Sequence, residues 1–176
     1  MKRILNKIIR DLKYKRSRVL NRGIEPTYLN YKITDLCNLK CKFCNIWKTQ
    51  RENPELIKKE LRAEDIEKIL TINSDYFRNL RFIQITGGEP FLKGDLVQIV
   101  SIFSKFIPKL EFWFATNGFL PNIIFNKTEE ILSQTNNEQQ IGIGISLDGT
   151  ESTHDSLRGR KDAHKNALET VKRLKK

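Results

Sequence analysis

Four apolar segments of alternating pattern recur along this chain. Each runs into a short polar loop and then into a stretch of helical periodicity. The first, Thr27 to Thr34, sets Leu29, Tyr31 and Ile33 against Tyr28, Asn30 and Lys32. The second is Arg81 to Thr86, the third Leu110 to Thr116 with Leu110, Phe112 and Phe114 on one side, and the fourth Ile141 to Leu147. Between them, Glu55 to Thr71 places Ile66, Ile69 and Leu70 on one helical face, and Asp95 to Ile107 does the same with Leu96, Val97, Val100 and Phe103. Asn126 with Glu129 reads as a capping box opening a short third helix. A last helix from about Asp162 aligns Ala163, Ala167, Leu168, Val171 and Leu174. Strand–helix alternation repeated four times implies parallel strands joined by helical crossovers. The chain is therefore α/β, either a segment of a (β/α) barrel or a doubly wound sheet.

The polar residues fall where such folds bind ligands, just past the strand ends. Cysteines follow the first strand, Thr-Gly-Gly-Glu-Pro (86–90) the second, Thr-Asn-Gly (116–118) the third and Ser-Leu-Asp-Gly (146–149) the fourth. In the fourth strand Ile141, Ile143, Ile145 and Leu147 alternate with Gly142, Gly144 and Ser146, so one face is nearly bare. A bare face admits a close neighbour or leaves room for a bound group. A cofactor lying across the strand ends is the expectation.

Charge narrows the partner. The net +11 is carried by the ends: residues 1–22 hold nine Lys/Arg against Asp11, and residues 158–176 hold eight against Asp162 and Glu169. Residues 23–157 carry 15 basic and 18 acidic side chains, which argues against nucleic acid as the main partner. The apolar runs are far shorter than the roughly 20 residues that cross a bilayer. The basic start, interrupted by Asn6, Lys7 and Arg10, is no signal-peptide core, so a cytoplasmic location is expected. Residues 1–24 read as a basic amphipathic helix with Ile4, Leu5, Ile8, Ile9 and Leu12 on one stripe. Packing of that stripe against the underside of the core, residues 25–176, is expected in preference to peripheral membrane contact.

Three cysteines, Cys37, Cys41 and Cys44, lie within eight residues as C-x3-C-x2-C. An odd number packed so closely argues against a disulfide framework. Three thiolates on one loop can hold three irons of a [4Fe–4S] cube and leave the fourth open. Structural zinc is the first rival, yet it wants four ligands, and the only histidines, His154 and His164, come more than a hundred residues later. Thiol exchange through Cys41 and Cys44 leaves Cys37 unexplained. The cluster reading is favoured.

These motifs together resemble those of the radical S-adenosylmethionine (radical SAM) superfamily. The cysteine triad with Phe43 before its last member, Gly87-Gly88-Glu89-Pro90, Asn117-Gly118 and Ser146 to Gly149 match its successive strand-end motifs. His154 to Gly159 resembles a stretch in the peptide- and cofactor-maturing branch, often followed by a SPASM or Twitch extension. The resemblance runs from about Leu29 to the end. It implies that Cys37, Cys41 and Cys44 ligate a [4Fe–4S] cluster. It also implies that Gly87, Gly88, Glu89, Asn117, Ser146, Asp148 and Arg158 hold AdoMet, with the backbone of the second-strand motif and Glu89 on its amino group and Arg158 as a carboxylate clamp. The chemistry implied is a 5′-deoxyadenosyl radical that takes hydrogen from an unidentified substrate, a peptide or cofactor precursor, with electrons from a flavodoxin or ferredoxin. No protein acid or base is assigned: His154 reads as a structural cap, and Trp47 as a cluster shield or a packing residue. The family's partial barrel has six βα units and this chain shows four, so a fragment or a split enzyme with a complementing C-terminal half is expected. The alternative is a non-catalytic iron–sulfur or zinc module, acting as an electron carrier or partner subunit.

Overall fold

The structure is a computed structural model that describes residues 2–19, 23, 25–136 and 139–175. Four strands, β1 (Tyr28–Thr34), β2 (Phe82–Gly87), β3 (Glu111–Thr116) and β4 (Ile141–Ile145), form one parallel sheet in the order β1-β2-β3-β4. Sequential order decides between the two α/β architectures. Right-handed crossovers that always step the same way put every helix on the same face, as in a barrel, whereas a doubly wound sheet reverses. The main crossover helices α4 (Ala63–Ile72), α6 (Leu96–Phe106), α7 (Pro121–Gln134) and α9 (Ala163–Leu174) pack each against the next along that face. The fold is a partial (β/α) barrel of four units, as expected.

Register explains the core. Leu29, Ile83, Phe112 and Ile141 stand side by side across the sheet, and so do Tyr31, Ile85, Phe114 and Ile143. These two rows face the helices and meet Ile66, Leu70, Leu96, Ile99, Val100, Phe103, Ile124 and Ile131 in one apolar cluster. The alternate residues point to the other, concave face, where Tyr28, Asn30, Lys32 and Trp113 are exposed.

Several expectations change. The bare face of β4 is covered by protein: the indole of Trp113 from β3 lies over Gly142 and Gly144, where any side chain would collide with the ring. The glycines make room for a neighbouring side chain, and the expected cofactor space along this strand is filled. The third helix opens at Pro121 in its first turn, a position that tolerates a missing N–H, so Asn126 and Glu129 lie inside it and form no capping box. The continuous helix expected over 55–71 is broken into α3 (Glu55–Lys58) and α4, preceded by α2 (Ile46–Glu52). The break has a cause at Glu60. Its carboxylate accepts from the Thr34 hydroxyl (2.8 Å) and the Asp35 N–H (2.7 Å), and pairs with Lys93 at 3.2 Å. A short helix α5 (Ser74–Phe77) precedes β2.

The N-terminal helix α1 spans Lys2–Val19. Among its described side chains, Leu5, Ile8, Ile9 and Leu12 are all exposed, between 44% and 60%, so these four do not make the expected packing against the underside of the core. The junction placed at residue 24 lies outside the described residues.

Candidate active site

The carboxyl edge of the sheet gathers all four motif loops through hydrogen bonds. Gly87 has a φ of +139°, and a side chain there would strike Thr34; one on Gly88 would strike the Leu36 carbonyl. Only glycine lets the end of β2 come so close to the start of the cysteine loop. That approach is sealed by Gly88 N–H to the Thr34 carbonyl (2.8 Å) and Glu89 N–H to the Leu36 carbonyl (2.7 Å).

Glu89 ties the second loop to the third. Its carboxylate is fully buried and accepts from the Phe91 N–H (3.2 Å), the Thr116 hydroxyl (2.8 Å) and the Asn117 N–H (2.8 Å). Burial pushes its pKa up, against the pull of those three donors. With no exposed surface, the carboxylate offers nothing to an ammonium in this conformation. In this conformation the carboxylate ties the second loop to the third.

The cysteine loop is clamped from three sides. From α2, Gln50 accepts from the Cys37 N–H (3.3 Å) and the Trp47 indole N–H donates to the Cys41 carbonyl (3.1 Å). From the far end of the sheet, α8 (Glu151–Arg158) lends the Leu157 carbonyl to the Lys42 N–H (2.9 Å), and Arg160 donates to the Asn38 carbonyl (2.8 Å). From β3, the Asn117 amide donates to the Asn38 side chain (2.8 Å) and lies 4.0 Å from Cys37 Sγ.

Asp148 and Arg158 face each other: Arg158 Nε donates to Oδ2 at 2.6 Å and Nη2 to Oδ1 at 3.0 Å. The remaining Nη1 stands 3.9 Å from Cys41 Sγ, and the guanidinium lies over the Phe43 ring at 5.3 Å. Most of this fork is already taken by a protein carboxylate. His154 is fully buried and its Nδ1 accepts from the Asp148 N–H at 3.1 Å, so it fixes this loop, as a structural cap would. Burial, helped by nearby Arg158, holds its pKa down and keeps it neutral. Ser146 donates its N–H to the Thr116 carbonyl (3.0 Å), while its hydroxyl has no partner among the described residues.

Cys41 is buried, and Cys37 and Cys44 are half-buried. Burial pushes the Cys37 and Cys41 thiols up, with Arg158 opposing the effect at Cys41; a bound metal would override both and take them as thiolates. Among the described residues no three Cys, His, Asp or Glu side chains converge as one metal ion demands, which for zinc means sulfurs about 3.8 Å apart. Three thiols on one clamped loop, two of them faced by N–H donors, are the donor set that a [4Fe–4S] cluster takes.

Asn38, Gln50, Glu60, Asp155 and Arg160 are parts of this edge that the sequence reading did not single out. Gln50, Glu60 and Arg160 lie outside the motifs, Asn38 and Asp155 within them, and in neither case does local spacing show what a polar side chain will meet across the fold. A cavity of about 480 Å³ lies at the opposite end of the strands, bordered by Leu70, Arg78, Arg81, Phe106 and Lys109, away from every motif.

A partial barrel whose strand ends converge on a three-cysteine loop defines a cofactor-dependent α/β enzyme core. Residues 31–176 match the Radical SAM superfamily, and the chain belongs to that family, which uses a [4Fe–4S] cluster and S-adenosylmethionine. Over 150 residues, 85% of this chain and 33% of the relative, it is 31% identical to the sporulation killing factor maturation protein SkfB of Bacillus subtilis. To the GTP 3′,8-cyclase of Helicobacter pylori it is 28% identical, covering 86% of this chain and 43% of that protein. The fold is shared with Streptococcus suis SuiB bound to S-adenosylmethionine, at a TM-score of 0.64 and 22% identity over 94% of this chain and 34% of that one. The chain thus spans between a third and a half of these relatives' lengths. Among the described residues, no helix is long and apolar enough to cross a membrane.

Proposed function

We propose that this chain is the cofactor-binding part of a radical SAM enzyme that acts on a peptide. Cys37, Cys41 and Cys44 would ligate a [4Fe–4S] cluster, and the strand-end loops would hold AdoMet beside it. When bound, these groups supply hydrogen-atom abstraction through a 5′-deoxyadenosyl radical, fed by a reductant such as a flavodoxin or ferredoxin. The chain's own residues position and shield, since the cofactors carry the difficult chemistry.

Within the loops the roles divide. Gly87 and Gly88 set the backbone of the second loop against the cysteine loop, and Glu89 locks it to Asn117 from behind. Ser146, whose hydroxyl has no partner among the described residues, suits a direct contact to the ribose or the methionine carboxylate. Asp148 holds Arg158, whose third nitrogen remains for an anionic group near Cys41. SkfB is by its name a maturation protein, and a SuiB structure at TM-score 0.62 and 24% identity, over 86% of this chain and 31% of that one, holds the precursor peptide SuiA. Both favour a peptide over a nucleotide substrate.

The observation that carries the proposal is the gathering of the later strand-end loops around the cysteine loop through named hydrogen bonds. Anaerobic reconstitution with iron and sulfide, followed by electron paramagnetic resonance with and without AdoMet, tests it. A reduced [4Fe–4S] signal that changes on AdoMet addition is expected. Stoichiometric zinc without a cluster, or a cluster signal indifferent to AdoMet, would overturn it.

A further inference from the structure

We infer that Arg158 and Asn117 tune the reduction potential of the cluster through Cys41 and Cys37, and that Asp148 sets how much of the arginine's charge the cluster feels. The inference rests on the cluster reading above and adds to it a function for residues that would otherwise serve only AdoMet.

The geometry is specific. Arg158 ends α8 and is held at three points. Two nitrogens are engaged by Asp148 at 2.6 and 3.0 Å, and the guanidinium plane lies over Phe43 at 5.3 Å. So fixed, the side chain is 11% exposed and has one direction left for Nη1, toward Cys41 Sγ at 3.9 Å. Asn117 is fixed in the same way. Its side-chain oxygen accepts from the Phe119 N–H at 2.9 Å, and its NH2 is shared between Asn38 at 2.8 Å and Cys37 Sγ at 4.0 Å. The donors are therefore turned toward sulfur by their other bonds. Cys44 Sγ receives no such donor among the described residues, so the three ligands are electrostatically unequal.

Reduction adds one negative charge to a cluster and spreads it onto the sulfurs. An N–H or a cation at a ligand sulfur stabilises the reduced form more than the oxidised one and raises the potential. The effect is strong here because Cys41 is buried and screening is weak. Asp148 works in the opposite sense. Its carboxylate neutralises much of Arg158 while holding it in place, and the residue is itself fixed by its backbone N–H, which donates to Nδ1 of buried His154. The pair behaves as a dipole with its positive end on the cluster.

Opposite signs make this testable. The whole chain is reconstituted anaerobically, and the reduced-to-oxidised ratio of the cluster is read by electron paramagnetic resonance in a redox titration without AdoMet. Arg158→Met is expected to lower that ratio about tenfold at fixed poise, roughly 59 mV for one electron. Arg158→Lys should recover part of it. Asp148→Asn, which keeps the shape and loses the charge, should raise the ratio several-fold, and Asn117→Ala should lower it about threefold. If Arg158→Met does not load a cluster, the direction of Asp148→Asn decides: a rise supports the inference, and no change or a fall overturns it. Loaded clusters whose potentials agree within twofold, or move the same way in the arginine and aspartate variants, sink the tuning role and leave the cluster reading intact. Failure of the unaltered chain to take up any cluster sinks both.

Discussion

The two faces of the sheet are built from the same strands and have opposite fates. On the helix side Ile33, Ile83, Ile85, Phe112 and Phe114 are buried to about the last atom. On the concave side Asn30, Lys32 and Trp113 stand open, and Tyr28 stacks on Phe82 at 5.4 Å while donating to Gln84 at 2.6 Å. One face carries stability and the other is polar, shallow and free to serve a ligand. Adjacent residues of β3 expose the contrast most sharply. Phe114→Ala removes a buried ring and should destabilise the chain by about 3–5 kcal/mol. Trp113→Ala, one residue away and 41% exposed, should cost about 1 kcal/mol, because much of its indole never leaves water. Urea unfolding of the two variants measures both losses. Equal losses would mean that the concave face belongs to the core.

The faces meet at the carboxyl edge, where packing and chemistry cannot be separated. Gly88→Ala pushes a methyl group into the Leu36 carbonyl and opens the bonds that seat the cysteine loop. A loss of about 2 kcal/mol is expected. Iron uptake on reconstitution should fall with it, since the thiols lose their frame. A variant that binds the full complement of iron at unchanged stability would show that the loop needs no such seat.

Much of this was legible beforehand, for reasons particular residues show. Alternation in Leu29, Tyr31 and Ile33, or in Phe112 and Phe114, records burial on one side of a strand, and that pattern survived intact. The strand-end motifs were legible because their spacing is local. What failed was anything decided at a distance. Gly142 and Gly144 look like a cofactor shelf until β3 supplies Trp113 to fill it. Glu89 gives no local sign that Thr116 and Asn117, arriving from another strand, will bond its oxygens and make it a tie between loops. The capping box at Asn126 lost to a stronger local signal, Pro121, which opens the helix five residues earlier.

Asp155 sharpens the edge at its far end. Its carboxylate accepts the N–H groups of Asp162 (2.8 Å) and His164 (2.9 Å) and so caps the start of α9, where Asp162 sits at a φ of +63°. The His164 N–H leads the causes that hold its pKa below the usual carboxylate value. A depressed folded pKa means that the stabilisation is present above the unfolded carboxylate value and is lost as pH falls through the folded one. Thermal unfolding of Asp155→Asn should therefore trail the unaltered chain near neutral pH and approach it in acid. A constant gap at every pH would show that the carboxylate charge is irrelevant to the cap.

The smallest effect belongs to α1, which supplies a third kind of surface beside the two faces of the sheet. It is amphipathic by sequence, yet Leu12 is 60% exposed, Leu5 56% and Ile8 50%, and the stripe makes no contribution to the cluster that includes Ile85 and Phe114. An apolar side chain that is exposed in the folded chain has no transfer free energy to lose on replacement. Leu12→Asp should thus change the free energy of unfolding by no more than about 0.5 kcal/mol, the range of ordinary surface substitutions. The same change at Leu96, fully buried under the convex face, would place an unpaired charge in the core and unfold the chain. A loss above about 1 kcal/mol for Leu12→Asp in urea titration would mean that the stripe is packed in solution, and that a third apolar surface must be added to the core drawn from the sheet.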